Sequence, residues 1–382
     1  MLYFDHCATT PPYEEVVEAV REVMARHYGN PSSIHRVGID AERMLTKARE
    51  VAARQLRAAP EEIVFTSGGT ESNNTAVLGA ALQYAGRGKH LITTALEHAS
   101  VYECFEYLKQ RLGYEVTVIQ PDGDGRIRSQ DVLDAVRDDT ILVSVMHVNN
   151  EIGTIQPVRE IGQALRQHRK VLFHVDAVQS VGKIPVWPGE WGIDLLSVSA
   201  HKIRGPKGAG LLYRRKGIAL QPLLYGGGQE AGQRSGTENV PGIVGFAKAL
   251  RMTMERQEGA FARLSGLRSR LLNALRTVPG LVYNGSESAA DMAPHIVHVS
   301  APGLKSEVFV HALEEHGMMI STRSACSSGE DRPSRVLQAI GADLDRAVSG
   351  LRISLSPDHT EEDIDRLADV VARTMEQLRR YR

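Results

Sequence analysis

Glu62-Ile63-Val64-Phe65-Thr66 is a short run rich in branched and aromatic residues, and a turn over 67–70 joins it to a helical pattern from Glu71 to Tyr84. Such a run favours a strand. Similar apolar runs cover 141–145 and 171–175, and a helical pattern lies between them. Strands that alternate with helices predict an α/β domain with a mostly parallel central sheet sandwiched by helices. Such sheets bind ligands at the carboxyl ends of their strands.

The turn that joins this strand to its helix, Ser67-Gly68-Gly69-Thr70, has the composition of an anion site. Backbone N–H groups and the helix dipole attract negative charge at a helix start. The two glycines let the backbone approach a phosphate, and Thr70 adds a hydroxyl. The stretch alone fits an ordinary tight turn equally well. It matches neither a P-loop nor a dinucleotide-binding turn.

Two further polar residues end predicted strands: Asp176 follows the run 171–175, and Lys202 closes a run from Leu195. A carboxylate there can keep a pyridine nitrogen protonated, and a lysine beside other cations can act as a nucleophilic amine. Ser199 and His201 offer donors for a phosphate. A capping aspartate and a solvated lysine explain either residue alone better, but an anion turn and two such strand ends in one domain favour a ligand site.

Two other residues are candidates for the same site. His98 lies at a strand-to-helix junction, where an imidazole could stack on a planar cofactor and shuttle protons, or could only cap a helix. Arg352 lies in an apolar run, where a guanidinium could clamp a substrate carboxylate through two parallel hydrogen bonds. An ion pair inside a smaller domain explains Arg352 equally well.

The chain has 3 cysteines, which differ in their settings. Cys104 falls on the apolar face of a helical pattern and is interpreted as core. Cys326 lies in a small, polar stretch without periodicity, typical of an exposed loop, where a thiol is free to ionise and to react. A surface cysteine without a function is the alternative for Cys326, and Cys7 is open between core and site lining. We expect no metal site, because His295 and His298 face opposite sides of a strand.

Composition excludes several classes of function. Lys and Arg number 45 against 46 Asp and Glu, so the net charge of -1 gives no electrostatic reason to expect nucleic acid or a membrane surface as partner. No apolar stretch reaches the roughly 20 residues that span a bilayer. The N-terminus lacks the pattern of a secretory signal, and the sparse cysteines form no disulfide framework. These features predict a cytoplasmic protein with reduced thiols.

The length of 382 residues predicts two domains, because a single core stops growing at roughly 250–300 residues. The pattern changes after about residue 240, where a long helix is predicted from Gly242 to about Val278 with a break at Gly259. Short strands are predicted over 296–299 and 352–355.

A C-terminal helix follows Thr360, which with Asp363 has the pattern of a capping box. We therefore predict a large α/β domain over 14–255. A smaller α+β domain would comprise 1–13 and 256–382 and would carry Cys326 and Arg352.

Taken together, the motifs resemble the cysteine desulfurases of the NifS/IscS type, within the class V aminotransferase group of fold-type I pyridoxal-phosphate (PLP) enzymes. The resemblance covers nearly the whole chain, and the order of the motifs makes it specific. It rests on Asp5–Thr10, Gly29–His35, Thr66–Asn74, Val148–Thr154, His174–Gln179, Ser197–Gly210, Gly226–Glu230, Arg234–Asn239, the stretch around Cys326, and Arg352–Leu355.

The resemblance implies how PLP would be held. Lys202 would form a Schiff base with it, Asp176 would pair with the ring nitrogen, and His98 would stack over the ring. Gln179 and Asn150 would contact the ring oxygen or its surroundings. The phosphate would be bound by Gly69, Thr70, Ser199 and His201, together with Thr237 of a neighbouring subunit, so that a homodimer with composite sites is expected.

The resemblance also implies a reaction. Arg352, with Asn150 nearby, would bind L-cysteine through its carboxylate, and Lys202 would move a proton at Cα. Cys326 would accept the sulfur as a persulfide, leaving L-alanine, and would deliver it to an iron–sulfur scaffold or a tRNA-thiolation enzyme. A selenocysteine lyase or a small-amino-acid aminotransferase on the same scaffold is the main alternative, and a non-catalytic sulfur-transfer scaffold is another.

The chain departs from the family pattern at a few places. His6-Cys7 stands where Asn-Ala or Tyr-Ser usually precedes Ala-Thr-Thr. Ala231 stands where Arg is common, and Ser356 where Gly is usual. None of these positions belongs to the expected catalytic set.

Overall fold

The computed structural model describes residues 1–322 and 333–380. Within that part of the chain the strands are β1 (Leu2–Tyr3), β2 (Ile63–Thr66), β3 (His90–Thr94), β4 (Glu115–Ile119), β5 (Thr140–Met146), β6 (Leu172–Asp176), β7 (Leu195–Ser199), β8 (Gly210–Arg214), β9 (Val282–Tyr283), β10 (Ile296–Ser300), β11 (Met318–Met319) and β12 (Gly350–Ser354).

The helices of the same residues are α1 (Glu14–Arg26), α2 (Arg36–Gln55), α3 (Gly69–Gln83), α4 (Ala99–Leu112), α5 (Ser129–Asp134), α6 (Val158–Leu165), α7 (Pro188–Trp191), α8 (Val240–Glu255), α9 (Gln257–Arg276), α10 (Ser306–Glu315), α11 (Arg335–Ala339), α12 (Leu344–Val348) and α13 (Glu361–Arg380). Among these described helices, none combines the length and the apolar character needed to cross a bilayer.

The central sheet has the strand order β2-β8-β7-β6-β5-β3-β4. The pairs from β7 through β4 are parallel, whereas β8 is antiparallel to both of its neighbours. Parallel neighbours require crossover connections, which helices supply here. The predicted α/β fold with a mostly parallel sheet sandwiched by helices is confirmed.

Both faces of β2, β3, β5, β6 and β7 are buried, which explains why these strands are mostly apolar rather than alternating, whereas the edge strand β4 is partly exposed. Leu142 and Leu172 point into a core shared with α3 and α4. Their neighbours Val143 and Phe173 point to the opposite face, into a core shared with α2, α6 and α8. Cys104 is 5% exposed in the first of these cores, as predicted.

A second core forms around the antiparallel sheet β9-β10-β12 and the helices α9 and α13. Phe4 joins it from the N-terminal segment. Val336 and Ala347, in contrast, pack in the core of the central sheet. The division into 14–255 and 1–13 with 256–382 stays a prediction, which the separate cores support.

The predicted long helix is two helices, and its predicted break at Gly259 is wrong. The helix is interrupted at Arg256, because α8 ends at Glu255 and α9 begins at Gln257. Gly259 lies in the first turn of α9, where the backbone N–H groups need no intrahelical partner and a glycine disturbs less. The capping box is confirmed: Thr360 N donates to Asp363 Oδ2 (2.8 Å), and Asp363 N donates to Thr360 Oγ1 (3.1 Å).

Glu230 anchors the loop between β8 and α8 to the edge of the sheet. Its side chain is 2% exposed and pairs with Arg49 at 2.5 Å. Its Oε2 also accepts the N–H of Phe65, at 2.8 Å. Replacing Glu230 would therefore leave a cation and a main-chain donor without their acceptor.

We expect Glu230→Ala to lower the free energy of unfolding by about 3 kcal/mol, because breaking a buried ion pair strands the remaining charge. Urea unfolding followed by circular dichroism measures the change. Glu50→Ala on the same helix as Arg49 is the control, since its pair with Lys47 is exposed and is expected to contribute at most about 0.5 kcal/mol. A loss no larger than that of the control would contradict the anchoring role.

Candidate active site

A cavity opens at the carboxyl ends of β5, β6 and β7, beside the start of α3. It holds about 740 Å³ of empty space including its mouth. The predicted site residues that line it are Gly69, Thr70, His98, Asn150, Asp176, Gln179, Ser199, His201, Lys202 and Arg352. These residues come from distant parts of the sequence, and the sheet topology brings them together.

The first turn of α3 forms one end of the cavity. Gly69 begins this helix, and a Cβ at Gly69 would lie 2.9 Å from Val178, so that only glycine fits without a shift. Ser199, the last residue of β7, lies beside Gly69, and His201 from the following turn lines the same cavity. Burial lowers the pKa of His201 to about 4, so its imidazole is neutral at physiological pH. Main-chain donors, hydroxyls and a neutral imidazole make this end suited to a phosphate.

Asp176 ends β6 and is 6% exposed. Its Oδ1 accepts the N–H of Val178 (3.0 Å), and its Oδ2 accepts the side-chain amide of Asn73 (2.8 Å). A buried carboxylate needs such donors, because it leaves its hydration behind. The two donors fix the carboxylate at the edge of the cavity, where it can pair with a cationic ring nitrogen.

Lys202 closes a short 3-10 turn after β7 and lies against the N-terminal segment. Its Nζ donates to the main-chain oxygens of Cys7 and of Ala8, the latter at 2.7 Å. Gln179 Nε2 donates to the same Cys7 oxygen at 3.1 Å. Residues 7 and 8 therefore hold the lysine and the glutamine side by side in the cavity.

His98 is the N-cap of α4, and it also lines the cavity. Its Nδ1 accepts the N–H of Ser100 (3.2 Å) and lies 2.9 Å from the Ser100 hydroxyl. Burial lowers the pKa of His98 against the opposing effect of Asp176. Because Nδ1 accepts a hydrogen bond, the neutral imidazole carries its proton on Nε2. Both interpretations from the sequence hold at once, since the residue caps a helix and faces the cavity.

Arg352 lies in β12 and is 1% exposed. Its Nη2 pairs with Asp5 (2.9 Å), and its Nη1 donates to the main-chain oxygen of Asn150 (3.0 Å). Its Nε is buried without a hydrogen-bond partner among the described residues. The arginine thus makes an ion pair and still presents a donor, so the two interpretations from the sequence do not exclude each other.

Several features of the lining fit PLP. The helix start at Gly69 suits the phosphate, and Asp176 suits the ring nitrogen. Gln179 Oε1 is buried with no partner in the described part of the chain, as expected of a group that meets a bound molecule. Lys202 lies in the same cavity as these groups.

One predicted residue lies elsewhere, and another is not among the described residues. Thr237 is exposed and lies outside the lining of the cavity. Cys326 lies outside the described residues, so its role stays a prediction.

Other residues of the lining were not predicted. Asn73 and Ser100 are the main ones, and Met146, Val148, Val178 and Ala8 complete the set. Asn73 lies four residues after Gly69, so the helical period places it on the same face, and this spacing is a signal that the sequence already contained. Cys7, left open between core and lining, is both: it is 1% exposed and lines the cavity.

Comparison with known proteins identifies the family. Residues 2–367 match the family described as aminotransferase class-V. The chain is 42% identical to "Cysteine desulfurase IscS" of Dictyoglomus turgidum over 379 residues, which are 99% of this chain and 95% of the relative.

Two solved structures are also similar to the chain. One, titled "NIFS-LIKE PROTEIN", is 38% identical with a TM-score of 0.92, and the match covers 98% of this chain and 99% of that one. Another, titled "SspA in complex with cysteine", is 35% identical with a TM-score of 0.82, covering 94% and 100% respectively. The cavity at the strand ends thus lies in a chain that belongs to the class V aminotransferase family and, within it, to the cysteine desulfurases.

Proposed function

We propose that the protein removes sulfur from L-cysteine with PLP as cofactor, releasing L-alanine and leaving the sulfur as a persulfide on Cys326. One observation carries the proposal: Lys202, Asp176, His98 and Arg352 line a single cavity. Together they provide an amine, a carboxylate, an imidazole and a guanidinium, which this chemistry requires.

PLP would be held by the residues that the lining brings together. Lys202 would bind it covalently, Asp176 would pair with its ring nitrogen, and His98 would cover its ring. When bound, the cofactor supplies an electron-accepting ring that stabilises negative charge at the substrate Cα. Gln179 and Asn150 would contact its ring oxygen or the surroundings, and its phosphate would be bound by Gly69, Thr70, Ser199 and His201.

Arg352 would orient the substrate. Its buried Nε–H is a donor in need of an acceptor, and a carboxylate is the acceptor that a guanidinium binds best. The similarity to SspA, whose structure contains cysteine, supports cysteine as the ligand. Lys202 would then take the proton from Cα, because its amine lies in the same cavity as the guanidinium.

Cys326 would act as the sulfur acceptor. Its thiolate attacks the substrate sulfur, so that an S–S bond forms while the Cβ–S bond breaks. The electron pair of the broken bond stays with the alanyl fragment, which takes up a proton and leaves as L-alanine. The persulfide would pass to an acceptor protein, such as an iron–sulfur scaffold or a tRNA-thiolation enzyme, in the cytoplasm.

A homodimer would complete the phosphate site. Thr237 lies on an exposed segment that the pair between Arg234 and Glu71 (2.9 Å) ties to the first turn of α3. Tyr225, at the start of this segment, is 73% exposed. We propose that the segment packs on a second copy of the chain and that Thr237 binds the phosphate held by the neighbouring subunit.

Cys326→Ala should keep the visible absorption of the bound cofactor and lose release of sulfide from cysteine, because only the acceptor thiol is removed. Sulfide and alanine are measured in the same reaction, and Ser327→Ala serves as a control in the same stretch. Full sulfide release by Cys326→Ala would refute the persulfide role. Alanine formed from selenocysteine but not from cysteine by the unmodified protein would favour the lyase instead.

Lys202→Ala should lose the covalent attachment of PLP, because no other amine would hold the aldehyde. Borohydride reduction followed by peptide mass spectrometry locates the attachment, and no catalytic turnover is needed. Lys207→Ala removes an exposed lysine of the same loop and should keep the labelled peptide. A label that persists in Lys202→Ala would move the anchor to another lysine.

Arg352→Gln should raise KM for cysteine by roughly 30-fold or more, because losing a buried charged donor costs about 2 kcal/mol. The cofactor absorption should persist. Asp5→Asn breaks the same ion pair but keeps the guanidinium, so its KM should change far less. Equal effects of the two variants would show that Arg352 only stabilises the fold.

A further inference from the structure

A second cavity lies on the other side of Lys202. It holds about 1190 Å³ of empty space including its mouth, and it forms between the central sheet and the second core. One wall comes from residues 182–183 and 202–204 and from Tyr13, the N-cap of α1, and the other from α9 and the segment 355–358. Lys202 borders both cavities.

The lining of this cavity has an excess of positive charge. Apart from Lys202, whose amine the proposed function uses, the cations are Lys183, Arg204, Arg256 and Arg263. The acidic residues of the lining are Glu255 and Asp358. Four cations therefore face two carboxylates.

The two carboxylates do not balance the cations. Asp358 is bound by Arg204, whose Nη2 also donates to Ser356 Oγ at 2.7 Å. Arg204, which lines the cavity, has a φ of 61°, and this backbone conformation is unfavourable for a residue with a side chain. Glu255 lies 3.8 Å from Arg251, which is outside the lining.

Arg256 has no acidic partner within salt-bridge distance in residues 1–322 and 333–380. Its guanidinium lies 5.1 Å from the ring centre of Tyr13, and that of Arg204 lies 5.0 Å from the same ring. Lys183 donates only to the main-chain oxygen of Lys202 (3.1 Å), among the bonds described, and burial lowers its pKa to about 8. Arg263 donates to the main-chain oxygens of Pro357 (2.5 Å) and His359 (2.7 Å) and likewise has no acidic partner in the described residues, so three cations of the lining lack an anion.

His295 provides an independent indication of a ligand. It is 1% exposed and lines the cavity, yet within the described part of the chain neither of its ring nitrogens has a hydrogen-bond partner. Buried polar groups almost always have a partner, and an unpaired one calls for an ion, a water or a bound molecule.

We propose that this second cavity binds a small oxyanion, a phosphate or a compound that carries phosphate or carboxylate groups, between Arg256, Arg263 and Lys183. The anion would supply the charge that the lining lacks and the partner that His295 lacks. It would also connect the two parts of the chain, because Arg263 belongs to α9 and Lys183 to the turn segment that follows β6 of the central sheet. His6 and Ser356, two departures from the family pattern, line this same cavity.

The test measures binding of inorganic phosphate to the cofactor-loaded protein by isothermal titration calorimetry in a buffer that contains no other phosphate. Loading with cofactor fills the first phosphate site, so that the titration reports the second. The double variant Arg256→Gln/Arg263→Gln should weaken binding at least ~10-fold, equivalent to about 1.4 kcal/mol. Arg54→Gln removes an exposed arginine of α2 and should leave binding unchanged. His295→Phe removes the unpaired nitrogens without changing charge and should also weaken binding.

Succinate in place of phosphate distinguishes the two classes of oxyanion, and tighter binding by either assigns the class. Three results would overturn the proposal: no binding of either anion, undiminished binding by both the double variant and His295→Phe, or loss of binding in Arg352→Gln alone. The last result would place the anion in the substrate cavity. Cofactor absorption, recorded in each titration, shows whether a variant has lost its fold.

Discussion

The site depends on one constraint, which is that a carboxylate must stay buried and held at the end of a parallel strand. Asp176 ends β6, in register with Met146 of β5 and Ser197 of β7. Because neighbouring strands run in the same direction, their polar ends meet at one edge of the sheet. Helix α3 begins at the same edge, and the side-chain amide of Asn73 in this helix is one of the two donors that hold the carboxylate.

That donor belongs to a chain of hydrogen bonds. Asn73 uses one amide hydrogen for Asp176 and the other for the Ser100 hydroxyl (2.8 Å). The Ser100 hydroxyl in turn lies 2.9 Å from His98 Nδ1, which accepts its hydrogen. The carboxylate that would hold the ring nitrogen and the imidazole that would cover the ring are therefore positioned together, by two residues that also line the cavity.

Glu97 connects the ends of β3 and β5 next to this site. It is fully buried, and its Oε1 accepts the N–H of Met146 (2.8 Å) and the hydroxyl of Thr94 (2.9 Å). Burial raises the pKa of Glu97 to about 8, so that the side chain is largely protonated at neutral pH. Asp176 is one of the groups that raise the pKa of Glu97. Because Glu97 is neutral, no second buried negative charge lies near Asp176.

Much of this arrangement is predictable from sequence, because strand ends and glycine turns are local signals. Asp176, Lys202 and Gly69 each follow an apolar run, and the rule on strand ends brings them together. Arg352 and Cys7 are different, since their position depends on the N-terminal segment packing beside β12, a contact that spans more than 340 residues. Local patterns contain no record of such a contact, whereas the break in the long helix, predicted from the glycine at 259, lies three residues earlier, at Arg256.

The N-terminal segment also explains why two cavities meet at one lysine. The amine of Lys202 donates to the main-chain oxygens of Cys7 and Ala8, which line the first cavity. The main-chain oxygen of Lys202 accepts from the amine of Lys183, which lines the second cavity. A charge bound near Lys183 would act on a residue that directly contacts the backbone of Lys202. Lys202 lines both cavities, so a charge bound in the second cavity would alter the electrostatic environment of the Lys202 amine in the first.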